Sequence, residues 1–86
     1  MPTICRFRGI RIFINYSEHN PPHFHAVYGD GEVIVLINEI EVLAGEIPNK
    51  QLKMLLGWAA LRQDELLDNW HLAEQRKELF EVDPLR

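Results

Sequence analysis

The chain has 86 residues, 47% of them hydrophobic and 26% charged, with a net charge of −4. That is enough for one small domain with a thin core, and no apolar run reaches the roughly 20 residues of a membrane helix. The acidic balance argues against broad, nonspecific nucleic-acid binding, and the single Cys5 excludes an internal disulfide.

The first residues, Met1 to Arg6, lack the apolar stretch of a secretory signal, which points to a cytoplasmic protein. Charge is unevenly spread. Residues 1–16 carry Arg6, Arg8 and Arg11 and no acid, while the remainder carries all 13 acids. This basic strip suits phosphate or an acidic partner, or is simply a solvated strand face.

Residues 3–7 read as a short extended arm, with Gly9 marking a bend after it. From Ile10 to Tyr16, Ile10, Ile12, Ile14 and Tyr16 alternate with Arg11, Phe13 and Asn15, the period of a half-buried strand. Residues 17–22 form a polar loop stiffened by Pro21 and Pro22. Residues 23–29 predict a second strand, with His23, His25 and Val27 on one face and Phe24, Ala26 and Tyr28 on the other. Gly29-Asp30-Gly31 is a hairpin turn, since glycine adopts positive φ without steric cost. Residues 32–37 form a third, mostly apolar strand, and residues 40–44 a fourth that Gly45 ends.

Asn49 is the expected cap of a helix whose stripe runs through Leu52, Leu55, Leu56 and Ala59. The stripe resumes at Leu66, Leu67, Trp70 and Ala73, in one bent helix or in two. Trp58 and Met54 lie off this stripe, where they would cover a sheet edge or form a homodimer patch. His71 reads as a solvated surface residue. The charged tail from Arg76 offers Leu79, Phe80 and Val82 for docking.

The elements assemble into a single α+β domain over residues 1–86. A four-stranded antiparallel meander is covered on one face by one or two C-terminal helices. Phe24 belongs to the covered face. His23 and His25 then belong to the open one, near Arg11 and Asn15 if the first two strands pair.

The run Glu18-His19-Asn20-Pro21-Pro22-His23-Phe24-His25 is the candidate site, with three of the four histidines in eight residues. Two histidines two apart on a strand can reach one ion. His19 supplies a third nitrogen and Glu18 an oxygen, which makes zinc or another divalent metal the candidate cofactor. Metal-free acid–base catalysis is the alternative, with histidines exchanging protons and Arg11 stabilising an anion. In a third reading the histidines hydrogen-bond backbone carbonyls, or present a docking face. Cys5 reads as a small buried hydrophobe.

Together with Met1-Pro2-Thr3-Ile4, Gly9-Ile10, Tyr16, Tyr28-Gly29, Trp58, Glu65-Leu66 and Asn69-Trp70, this run resembles the bacterial domain-of-unknown-function family 4160. The similarity spans about residues 1–75, and the tail at 76–86 lies outside it. Cys5 stands where serine is expected. Arg62 stands where histidine is frequent, which counts against that helix position supplying a further ligand. The resemblance implies a small uncharacterised bacterial protein, with a small protein partner encoded nearby and a toxin–antitoxin or accessory role. A metal-dependent or histidine-based hydrolase, such as a ribonuclease, is the competing expectation.

Overall fold

The computed structural model describes residues 2–86. The chain runs through β1 (Thr3–Phe7), β2 (Ile10–Phe13), β3 (His23–Tyr28), β4 (Gly31–Leu36), β5 (Glu41–Glu46), α1 (Asn49–Leu61) and α2 (Gln63–Glu74). The strands form one antiparallel meander in the order β1-β2-β3-β4-β5. The α+β class and the meander stand as expected, but there are five strands rather than four. The extended arm at 3–7 is itself β1. It pairs with β2 through a two-residue turn in which Arg8 (φ 49°) and Gly9 (φ 81°) are both left-handed. Such a turn matches the twist of the strands it joins, so the arm folds back instead of trailing away.

Register follows the alternation. Ile12 pairs with Ala26 and Phe13 with His25, while β3 and β4 pair Phe24 with Val35 and Val27 with Glu32. One face therefore collects Ile10, Ile12, Phe24, Ala26, Val33 and Val35, all buried. Helix α1 covers this face with Leu55, Trp58 and Ala59, at i, i+3 and i+4. Trp58 is thus a core residue rather than an edge cover or dimer patch. Its ring lies 5.3 Å from Phe7 and 6.2 Å from Phe24. The buried stripe is rotated from the expected one because the sheet calls for an aromatic ring at that point, and Leu56 moves to a half-buried flank.

Two helices are present, broken at Arg62. Pro48 occupies the cap position before α1, and Asn49 is the first helical residue with no side-chain cap. Helix α2 closes the end of the sheet where β3 begins. Gln63 donates to the carbonyls of Ile37 and Asn38, and Tyr16 donates to the carbonyl of Lys77 just beyond the helix.

The tail after α2 packs against the domain. The buried Asn69 amide donates to the Phe80 carbonyl and accepts from the Phe80 N–H. Val82 N–H donates to the Ile4 carbonyl, and the Trp58 indole to that of Asp83. These contacts cover β1 and leave β5 as the bare edge, exposed along its whole length.

Gly45 does not end β5. It sits within the strand at φ 83°, facing Val33, next to an irregularity in the ladder. A β-carbon there would collide with the Glu32 carbonyl oxygen. Gly45→Ala is therefore expected to cost at least about 1–2 kcal/mol from the left-handed backbone alone, with the clash adding to it. Urea unfolding should show a lower midpoint than wild type. An unchanged midpoint would mean that β5 shifts register freely.

Candidate metal centre

The hairpin turns fix where the histidines stand. His23 and His25 occupy alternate positions of β3 and so share a face, opposite the one α1 covers. That face is not open at this point. Both histidines are only 8% exposed. Phe13, directly across from His25 in β2, stacks on it at 4.9 Å with the rings nearly parallel. His23 lies edge-on to His25 at 5.3 Å and packs on Trp70 of α2 at 5.0 Å. The loop between β2 and β3 then folds over them and brings in Glu18. The expected open face is closed here because the loop and α2 both lie over its end.

Glu18 is the hub. Its Oε1 is 2.5 Å from His25 Nε2, and its Oε2 is 3.4 Å from His23 Nε2. Asn15 donates to Oε1 at 3.0 Å, which anchors the carboxylate within its own loop. Donor atoms of Glu18, His23 and His25 all lie within 4.8 Å of one another. Around an ion held at 2.0–2.2 Å, neighbouring ligand atoms sit roughly 3.3–3.6 Å apart, so modest side-chain rotation brings this set to a metal.

The far nitrogens are also engaged. His23 Nδ1 donates to the Pro21 carbonyl at 2.8 Å. The Asn20–Pro21 bond is cis. His25 Nδ1 donates to Glu32 Oε2 at 3.1 Å. Each imidazole therefore has its Nδ1 proton fixed by an acceptor and its Nε2 turned toward Glu18. Metal-binding histidines are oriented in this way, by a carbonyl or carboxylate on the distant nitrogen. The reading in which a histidine hydrogen-bonds a backbone carbonyl is thus also met, at His23.

Glu32 is absent from the expected site residues, and Trp70 is expected only as part of the buried helical stripe. Glu32 pairs with Val27, two residues from His25, and reaches His25 across the diagonal. The Gly29-Asp30-Gly31 turn carries that register and could have located it. The indole N–H of Trp70 is buried without a protein partner, which leaves one unmet donor on the ring that packs against His23.

The other candidates lie apart. His19 is exposed on the loop and makes none of these contacts. Arg11 stands over the Phe13 ring at 4.7 Å and donates to Thr3 Oγ1 at 3.3 Å. His71 is exposed and pairs with Glu74. Cys5 is buried on the α1-facing side, where burial pushes its thiol pKa up and leaves little thiolate at neutral pH.

The fold and these residues define a small α+β domain with a buried constellation of two histidines and one carboxylate. The chain belongs to the domain of unknown function family DUF4160, whose family model matches residues 9–71. That span holds Glu18, His23, His25 and Glu32, and takes in α1 and most of α2. Searches of curated proteins and of solved structures returned no match to the chain. No helix is long and apolar enough to cross a membrane among the described residues.

Burial alone would raise the pKa of Glu18. The hydrogen bonds from His25 and Asn15 and the charge of the two imidazoles outweigh it and hold the carboxyl below its ordinary value of 4.5. A depressed folded pKa contributes stability above the unfolded value, and that contribution is lost as pH falls through the folded one. Wild type should therefore lose more stability than Glu18→Gln when acidified from neutral pH to below the ordinary carboxylate range. Melting curves across that range should converge at low pH. Parallel curves would mean that Glu18 is not tied to the histidines.

Proposed function

We propose that Glu18, His23 and His25 bind a divalent transition-metal ion, through both Nε2 atoms and the carboxylate. The supporting observation is the division of the ring nitrogens. Both Nδ1 atoms are held by acceptors, and both Nε2 atoms converge on one carboxylate. Two imidazoles and one carboxylate suit zinc, and equally iron(II) in a facial arrangement. The cation would take the place of the proton between His25 Nε2 and Glu18. Three protein ligands leave a coordination position open, as catalytic rather than structural zinc sites do. Metal-assisted hydrolysis, in which the ion lowers the pKa of a bound water, is the chemistry such a position supports.

A docking module of toxin–antitoxin or accessory type, acting through the imidazoles themselves, has less support. Rings that are 8% exposed offer a partner almost no contact area. A protein partner would have to use another surface, and the bare edge of β5 is the one that could add a strand.

The test is metal content and affinity in protein purified without a histidine tag. Wild type should retain close to one zinc or iron per chain. The His23→Ala/His25→Ala double variant should retain none, while keeping its far-ultraviolet circular dichroism. Glu32→Gln should keep the site but weaken it about 10- to 100-fold, as loss of an outer partner of a ligating histidine does. Wild type binding zinc no more tightly than the double variant would sink the proposal.

A further inference from the structure

The β1–β2 hairpin carries a feature that the metal centre does not use. Arg6 and Arg11 are directly opposite each other in register, so their side chains leave the sheet on the same face. Like charges placed opposite each other destabilise a strand pair. An acidic chain has ample means to neutralise them, yet among the described residues Arg6, Arg8 and Arg11 form no ion pair. A shallow cleft of about 250 Å³ at the hairpin is lined by Arg6, Phe7, Gly9, Ile10 and Arg11. Arg11 is held in place by Thr3 Oγ1 and by the Phe13 ring, which keeps one guanidinium edge fixed and leaves further donors free.

Arg11 is linked to the histidines through one ring. Phe13 touches the Arg11 guanidinium on β2 and stacks on His25 across the strand pair. One phenyl ring thus separates a fixed cation from a proposed metal ligand, all on the same face of the sheet. Guanidinium groups match phosphate geometry and bind it by paired, charge-assisted hydrogen bonds.

We propose that the cleft beside Arg6 and Arg11 binds the phosphate group of a phosphate-ester ligand. Phosphate binding in the cleft stands independently of the metal reading above. Two arginines contact one or two phosphates, which fits a mononucleotide-sized ester or a short strand segment. Such a footprint is compatible with a net charge of −4, which opposes a wide polyanion surface.

The experiment is a titration of the full chain with three probes: inorganic phosphate, a nucleoside monophosphate and a single-stranded oligonucleotide. Calorimetry gives affinity, and amide chemical shifts of Arg6 to Arg11 give location. Wild type is expected to bind at least one ester probe with shifts centred on the hairpin. Arg6→Gln/Arg11→Gln should weaken binding at least about tenfold, the loss of one charge-assisted contact or more. Metal content of that variant should equal wild type. If the oligonucleotide binds best, with a logarithmic salt slope near −0.7 for each phosphate held, the ester is a strand; if the monophosphate binds as well, it is a small molecule. Either result supports the cleft. Equal affinity in wild type and variant, or no binding of any probe, overturns it. Arginine-dependent binding by a protein that holds no metal would leave the cleft standing and remove the metal reading. Metal binding that survives with no arginine effect would do the reverse.

Discussion

The placement of the Glu18 carboxylate against two buried imidazoles is the constraint on which the rest of this face depends. A carboxylate taken from water needs partners, and leaving it or the imidazoles unmet costs more than any single exposed contact returns. Asn15 and the two Nε2 atoms supply those partners, and they are reached only if the loop after β2 folds back across the sheet. The same folding buries His23 and His25 and brings the Pro21 carbonyl to His23 Nδ1. Loop conformation, histidine burial and ring orientation are therefore one event seen from three sides.

The two faces of the sheet divide the labour. The α1-facing side is almost wholly apolar and supplies the packing that a chain of this size requires. The other side is ordered by charge across the strands. Arg6 and Arg11 lie on β1 and β2, the histidines on β3, and Glu32 opposite Glu46 on β4 and β5. Like charges face each other at both flanks, which a sheet selected only for stability would avoid. Glu32 is partly compensated by His25 Nδ1, whereas the arginines have no acidic partner among the described residues.

Much of this was legible in the residues. Alternation in Ile10 to Phe13 and in His23 to Tyr28 assigns both faces correctly, because side-chain period is a local property of a strand, although the strand expected to reach Tyr16 ends at Phe13, where the chain leaves the sheet for the loop. The convergence of Glu18 with His23 and His25 was legible in part, since the two histidines lie two apart on one strand. What the chain did not show locally was long-range. The arm at 3–7 is short and its turn uses a left-handed Arg8, so its pairing rests on a non-glycine residue in a conformation usually left to glycine. Trp58 departs from the leucine stripe because Phe7 and Phe24 meet it, and those partners come from distant strands. His19 is as close in sequence as its neighbours, yet it is exposed, since the loop that carries Glu18 inward turns the next residue out. Glu32 lay within reach of a register argument, because a two-residue turn fixes every pair up the hairpin.

Among chemistries open to buried histidines, occupancy of the ring nitrogens separates the readings. A histidine pair exchanging protons without a metal needs one ring with a free lone pair to accept and another with a free proton to give. His25 has neither to spare, since both its nitrogens face carboxylate oxygens, which can only accept. His23 keeps only its Nε2 loosely engaged, at 3.4 Å from Glu18. Arg11 makes its contacts with Phe13 and Thr3 rather than with Glu18 or the imidazoles, and Cys5 lies across the sheet with a raised thiol pKa. A cation at the Nε2 atoms would relieve the crowding: it would replace a shared proton, keep Glu18 paired, and leave the Nδ1 hydrogen bonds intact. The groups that limit proton transfer here are the ones that would hold a metal ligand in place, and the arrangement suits the second task better.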